Sequence, residues 1–263
     1  MSQRDHPKIS IVIPTFNEEF YIKDTLNAIK NQKCKFNYEV MIIDGKSSDN
    51  TVSIVKEFAK RMKYLKLYIS PKMGKAFQLN YGVSKANSEL ILFLDADTLI
   101  KPFFLQRIYK KFKKDKNLFA CSARFKYYDE KAINFKLGSL RFTLTPYFFI
   151  NLASHIYYFF KNLFGYPELT GMNLIVRKEI FYKAGGFKNP PNSLGIDKVF
   201  TDSLLYLKRK LKRGKIKTLT FLSVLTSGRH LTFNRSMQRL TQYFKKKDLY
   251  YELATKNSIK NFK

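Results

Sequence analysis

Five consecutive apolar residues, Leu90-Ile91-Leu92-Phe93-Leu94, run straight into Asp95-Ala96-Asp97-Thr98, and this junction constrains the fold more than any other stretch of the chain. An uninterrupted apolar run suits a strand buried on both faces of a parallel sheet. Residues at the C-terminal end of such a strand emerge where open α/β sheets bind ligands. Asp95 and Asp97 would supply hard oxygen donors there, suited to Mg²⁺ or Mn²⁺, ions that share their coordination with substrate phosphates. An Asp-x-Asp after a strand serves equally as a turn or a helix cap, so the pair alone leaves both readings open.

The neighbouring segments alternate between strand and helix. Ile9 to Pro14 reads as a buried strand, Asn17-Glu18-Glu19 as the cap and first turn of a helix to about Asn31, and Tyr38 to Asp44 as a second strand. Ser48 to Lys63 reads as a helix, Leu65 to Ser70 as a third strand, and Gly74 to Ala86 as a helix before the strand that ends at Asp95. Short connections in this order predict an α/β fold: a mostly parallel central sheet, right-handed crossovers, and helices on both faces. Each strand's C-terminal edge carries polar residues: Thr15, Asn17 and Glu18, then Asp44 and Asp49, then Lys75, then Asp95 and Asp97. A purely structural rim has no use for so many, so a ligand is expected there. Neither Gly-x-Gly-x-x-Gly nor Gly-x-x-x-x-Gly-Lys-Ser/Thr occurs, which argues against dinucleotide-binding and P-loop readings.

A chain of 263 residues, 45% hydrophobic, can bury a sizeable core. Cys34 and Cys121 lie far apart with no metal-ligand spacing around them, so neither a disulfide framework nor a zinc site is expected, and a reducing cytoplasm fits. The polar N-terminal residues give no apolar centre for a secretory signal. Lys and Arg outnumber Asp and Glu by 49 to 20, a formal net charge of +29. Nucleic acid, anionic lipid and phosphorylated substrates all answer to that surplus, as does a simple spread of lysines over solvated faces.

Several motifs in order resemble the family 2 glycosyltransferases of the GT-A fold. They are Ile11-Val12-Ile13-Pro14-Thr15-Phe16-Asn17-Glu18-Glu19, Ile42-Ile43-Asp44-Gly45-Lys46-Ser47-Ser48-Asp49, Gly74-Lys75-Ala76 with Leu79-Asn80-Tyr81-Gly82, Phe93-Leu94-Asp95-Ala96-Asp97, and Gly171-Met172-Asn173 with Gly185-Gly186-Phe187. The resemblance implies a Rossmann-like nucleotide-diphospho-sugar transferase fold. It places Pro14, Thr15, Glu18, Asp44, Lys75, Asp95 and Arg229 around the donor nucleotide, and Gly171, Met172 and Asn173 on the acceptor and sugar side. Asp95 and Asp97, with His230 as a further ligand, would hold a divalent cation, Mn²⁺ or Mg²⁺, across the diphosphate. Asp49 would cap its helix or steady the loop.

Inverting transfer needs a base for the acceptor hydroxyl, which the family takes from a Glu-Asp pair that begins a helix. The corresponding site here is Phe200-Thr201-Asp202-Ser203, so Asp202 is the expected base, with Thr201 in place of Glu and Asp197 as the second choice. Gly45-Lys46 stands where many members carry Asp-Gly. The Gln-x-x-Arg-Trp motif of processive synthases is missing and the chain has no Trp, whereas Thr226-Ser227-Gly228-Arg229-His230 resembles a segment of non-processive members.

Between Arg141 and Lys161 there is no charged residue but many aromatic ones. Pro146, Asn151, Ser154 and His155 argue against a membrane-spanning helix, while an aromatic helix flanked by cations suits a membrane interface or a partner surface. The expected organisation is a GT-A domain over residues 1–231, with a donor half at about 8–120 and an acceptor half at about 121–231 that holds an aromatic helix at 142–160. A basic helical extension follows at 232–263. The function expected is transfer of one sugar from a UDP or GDP donor to a lipid-linked or glycan acceptor at the inner face of the membrane. Two rivals stand beside it: a basic nucleic-acid-binding protein, which leaves the strand-end acids without a task, and a degenerate member that binds donor without turnover.

Overall fold

A computed structural model describes residues 6–128, 133–137, 140–144, 146–189 and 195–229, of which residues 133–150 are described as backbone only. The chain divides into two compact units, Met1–Thr226 and Ser227–Lys263. The first opens with β1 (Ile9–Thr15), α1 (Ile22–Lys30), β2 (Tyr38–Asp44), α2 (Thr51–Arg61), β3 (Leu65–Ile69), α3 (Lys75–Lys85) and β4 (Leu90–Leu94). Next come β5 (Thr98–Ile100), α4 (Phe104–Lys114), β6 (Leu118–Tyr127), the hairpin β7 (Ile133–Leu137) and β8 (Leu140–Leu144), and α5 (Pro146–Leu163). β9 (Asn173–Arg177), α6 (Lys178–Lys183), α7 (Ile196–Lys210) and β10 (Lys215–Thr226) complete it.

Eight strands form one sheet in the order β3-β2-β1-β4-β9-β6-β10-β5. Six of them point the same way, and β9 and β5 run against their neighbours. Apolar residues cover both faces. Ile11, Ile13, Ile42, Leu92 and Leu94 pack with Leu26, Ile29, Val55 and Ile108, whereas Val12, Ile43, Ile91 and Phe93 pack with Leu79, Val83, Phe181 and Phe200. Such two-sided burial is why these strands read as continuous apolar runs. Gly82 of α3 lies so close to β1 that an added Cβ would collide with Val12 Cγ1, which seats α3 tightly against the sheet.

The short link from β4 to β5 forces the sheet to curl. Leu94 and Thr98 are four residues apart, a reach of at most about 14 Å. β4 and β5 stand four places apart in the strand order, about 19 Å across a flat sheet. Curling brings the β10 edge round to the end of β4, and so sets Thr226 opposite Thr98, beside the Asp95–Asp97 turn.

Three expectations change here. The first helix does not begin at Asn17. It starts at Ile22, because the backbone N–H groups of Asn17, Glu18 and Glu19 donate to Ser47, Thr51 and Asp49 across the rim instead of entering a first helical turn. The aromatic segment is not helical from residue 142: Leu140–Leu144 is strand paired with β7, and the helix runs from Pro146, whose missing N–H is harmless at a first helical position, to Leu163. The third concerns Thr201 and Asp202, which lie in the second turn of α7, whose first residue is Ile196.

Lys46 adopts a left-handed backbone conformation with φ 68°, which accounts for the Gly common in this loop of the family. Its neighbour Gly45 is tightly enclosed, since a Cβ would lie 3.0 Å from Gln78 Nε2 and 3.3 Å from the Thr15 carbonyl oxygen. Lys46→Gly is therefore expected to stabilise the fold by about 0.5–1 kcal/mol, seen as a higher urea midpoint at an unchanged slope. A lower midpoint would show that the Lys46 side chain holds the loop in another way.

Candidate active site

The loops after β1 and β2 interlock through side chains read from the sequence as nucleotide contacts. Asp44 is fully buried and accepts three hydrogen bonds: from Thr15 Oγ1 at 2.9 Å, Ser47 Oγ at 2.6 Å and Ser47 N at 2.9 Å. Thr15 is likewise buried, its hydroxyl spent on Asp44. Both therefore shape the rim from beneath, while Pro14 and Glu18 are half-buried beside it. Asp49 steadies the loop, while the N-cap position of α2 falls to Asn50. Asp49 accepts from Thr51 N, at the start of α2, at 3.0 Å and from Glu19 N at 3.1 Å across the rim. Burial pushes its pKa up, but the bonds from Thr51 and Glu19 outweigh that and hold it below the ordinary carboxylate value.

Gln78 was not singled out in the sequence. It is buried on α3 and donates to the carbonyls of Thr15 at 2.9 Å and Ile43 at 2.7 Å, tying α3 to the ends of β1 and β2. A glutamine on a helix's apolar face, next to Leu79, was the available signal.

At the end of β4, the Lys75 ammonium donates to Asp95 Oδ1 at 2.6 Å, with the Lys75 side chain 44% exposed and that of Asp95 25% exposed. Asp97 is 6% exposed, its Oδ1 within 3.4 Å of the Thr226 hydroxyl and 3.5 Å of the Thr98 hydroxyl. Burial alone would lower the Lys75 pKa, but Asp95, and after it Asp197 and Asp97, draw it above the ordinary lysine value. Two carboxylates of the β4–β5 turn and one of α7 thus act electrostatically on one ammonium, which is in contact with the first of them.

The segment before β9 joins these acids. Asp95 N donates to the Met172 carbonyl at 3.3 Å, and Gly171 N donates to Asp197 Oδ2 at 3.1 Å. Gly171 is glycine where a Cβ would lie 3.1 Å from Asp197 Cβ. Asn173, expected on the acceptor side, is corrected: it is fully buried, accepts from Ala123 N at 2.6 Å and donates to Thr170 Oγ1 at 3.3 Å, stitching β9 to β6. The Asp202 carboxylate is paired with the Lys198 ammonium one helical turn back, at 2.6 Å. Thr201 is buried and donates to the Asp197 carbonyl at 2.8 Å. Arg229 belongs to the second unit, where its N–H donates to Ser227 Oγ at 3.1 Å, and His230 lies outside the described residues.

Formal charges test the fit of a cation. Asp95, Asp97 and Asp197 contribute −3 and Lys75 +1, so these four groups sum to −2, the charge that one divalent ion cancels. Among the described residues no three His, Cys, Asp or Glu side chains come together as a closed cage. Two carboxylates on one turn instead suit a hard ion that takes its remaining ligands from phosphate and water.

This sheet order, with acids gathered at the end of the fourth strand, is the GT-A arrangement. It superposes on S. aureus TarS 1-349 in complex with UDP at a TM-score of 0.59 and 21% identity, covering 84% of this chain and 60% of that one. The mannosyltransferase PcManGT from Pyrobaculum calidifontis, in complex with GDP-Man and Mn²⁺, superposes at 0.59 and 22% identity, covering 84% and 57%. In sequence, the pattern described as Glycosyl transferase family 2 matches residues 10–185, and the chain belongs to that family. A Methanococcus voltae relative named dolichyl N-acetyl-alpha-D-glucosaminyl phosphate 3-beta-D-2,3-diacetamido-2,3-dideoxy-beta-D-glucuronosyltransferase is 37% identical over 113 residues, 41% of this chain and 35% of that protein. The chain thus spans about a third of that relative's length.

Proposed function

We propose that this protein transfers a single sugar, with inversion and without processivity, from a UDP or GDP sugar to a lipid-linked or glycan acceptor. The observation that carries the reading is the Lys75–Asp95 ion pair at the C-terminal edge of the sheet, with Asp97 on the same turn and Asp197 tied to it through the Gly171–Met172 segment. Asp95 and Asp97 would hold Mn²⁺ or Mg²⁺, which when bound offsets charge on the departing nucleoside diphosphate. Lys75 supplies a fixed positive charge for the same diphosphate. Pro14 and Glu18 border the nucleotide, on a rim that Thr15, Asp44 and Gln78 keep rigid from below. The donor half is residues 8–120 and the acceptor half 121–231, with 232–263 an extension.

The acceptor's hydroxyl proton goes to a carboxylate of α7. Asp197 is the base in this reading, because Gly171 and Met172 link it to Asp95, and Lys75 responds to its charge. Asp202 keeps the support of the family motif. A lipid-linked acceptor accords with the named substrate of the Methanococcus voltae relative. α5 accords with it too, because its outward side chains are Leu152, Ile156, Phe159, Phe160 and Leu163, each close to half exposed or more. No described helix is long and apolar enough to cross a membrane, so α5 is placed flat on an anionic surface at the inner membrane face, to which a +29 chain is drawn.

The test is a screen of nucleoside diphosphates and their sugars for Mn²⁺-dependent thermal stabilisation and sugar transfer, with and without vesicles rich in phosphatidylglycerol. Stabilisation by UDP or GDP that requires Mn²⁺, with transfer favoured by vesicles, is the expected result. Salt-sensitive retention on DNA with no response to nucleotide or Mn²⁺ would return the protein to the nucleic-acid reading.

A further inference from the structure

Helix α5 is amphipathic the wrong way round for a helix packed on a core. Its body-facing positions are Asn151, Ser154, His155, Tyr158, Lys161 and Asn162, spaced i, i+3, i+4, i+7 in the helical period, and each is half-buried. Asn151 accepts from Tyr127 N at 3.2 Å, and Asn162 accepts from Thr218 N at 3.4 Å, so polar side chains fasten α5 to β6 and β10. The opposite face carries the exposed Leu, Ile and Phe residues.

Between this polar face and β6 lies a cleft lined by Arg124, Lys126, Asn151, Ser154, His155 and Tyr158. Arg124 Nη1 lies 3.0 Å from His155 Nδ1, and Arg124 Nε is buried with no hydrogen-bond partner among the described residues. Partial burial, then the charges of Arg124 and Lys126, hold the His155 pKa below its ordinary value, so the ring is neutral at pH 7 and two fixed cations remain. A buried guanidinium N–H left unmade is costly, and a phosphoryl oxygen is its natural acceptor. The cleft lies near the same rim: Lys126 pairs with Leu225, and Leu225 with Leu99, two residues after Asp97. From Lys126 to Leu99 is two strand spacings, about 10 Å, with Arg124 two residues farther back along β6.

We propose that the cleft between β6 and α5 binds the phosphoryl group of a lipid-linked acceptor, with Arg124 and Lys126 as its cations and the apolar outer face of α5 beside the lipid. This deepens the glycosyltransferase reading and rests on it for the identity of the acceptor. The geometry supplies what such a substrate needs: a cationic seat on the inner side of α5 and an exposed hydrocarbon-compatible surface on its outer side, one helix width apart, about 10 Å.

Calorimetric titration of the full chain with farnesyl phosphate, farnesol, inorganic phosphate and dihexanoyl-phosphatidylglycerol tests it. Farnesyl phosphate is expected to bind at least tenfold more tightly than each of the other three, and Arg124→Gln to weaken it about tenfold or more. Thermal stabilisation by UDP or GDP should be unchanged in that variant. Equal binding of farnesol removes the phosphoryl contact, equal binding of inorganic phosphate leaves an ordinary anion site, and equal binding of phosphatidylglycerol makes the cleft a general headgroup site; each overturns the proposal. Should Arg124→Gln not fold, Lys126→Gln at an exposed position carries the test, with about a threefold loss expected and no loss overturning it. Nucleotide binding with no farnesyl phosphate binding sinks the cleft alone; absent nucleotide binding sinks the underlying transferase reading.

Discussion

Asp197→Asn is expected to lower turnover by about 10²–10⁴-fold while leaving nucleotide binding intact, the signature of a lost general base. The amide keeps the size of the side chain and an oxygen that can still accept the Gly171 N–H, so the link to β9 survives. What disappears is the group that takes the proton. Asp202→Asn is the informative partner. It breaks a half-exposed pair with Lys198 inside one helix, a contact that contributes no more than a few tenths of a kcal/mol to stability. If Asp197 is the base, Asp202→Asn keeps turnover within a few-fold of the parent. The reverse outcome, full activity in Asp197→Asn and collapse in Asp202→Asn, would restore the residue that the family motif indicated and remove Asp197 from the chemistry. KM for donor and kcat should be measured separately, because a variant that only loosens Gly171 raises KM without a matching loss in kcat.

The difference between those two acids marks how far the sequence could be read. Strands β1, β2 and β4 were legible because burial on both faces leaves an apolar run with no polar alternation, and the polar residues at their ends fall where a parallel sheet binds. The identity of the rim followed, but not the direction of each side chain. Asp44, Thr15 and Asn173 are the polar types that bind ligands, yet each is buried and hydrogen-bonded inside the protein, and one-dimensional spacing does not distinguish an outward carboxylate from an inward one. β5 was hidden for a different reason: it is three residues long, and its partner on β10 is more than a hundred residues away. That long-range pairing is what curls the sheet and sets Thr226 over Asp97. What the sequence misread was a boundary: α7 begins at Ile196, so Asp197 lies in its first turn beside Gly171, and Asp202 lies in the second turn instead of at the helix start. The reversed polarity of α5 could have been found, since Asn151, Ser154, His155 and Tyr158 repeat at helical spacing inside the aromatic segment.

Removing either carboxylate of the β4–β5 turn is the other large effect, and the two removals differ in kind. Asp97→Asn takes away a charge held between the Thr98 and Thr226 hydroxyls, and is expected to abolish the Mn²⁺ dependence of nucleotide stabilisation and to cost about 10²–10³-fold in turnover. Asp95→Asn also releases Lys75 from its 2.6 Å ion pair. The freed ammonium can then meet the diphosphate directly, so this variant is expected to bind UDP or GDP measurably without metal, while turnover still falls. The sign follows from charge: the four groups sum to −2 in the parent, which repels a nucleoside diphosphate until a divalent ion arrives, and to −1 in either variant, but only Asp95→Asn also leaves the lysine unclaimed. Thermal shifts with nucleotide, measured with EDTA and again with Mn²⁺, separate these outcomes. Unaltered Mn²⁺ dependence in both variants would mean that the cation sits elsewhere or is not used, and the reading of Asp95 and Asp97 as its ligands would fall.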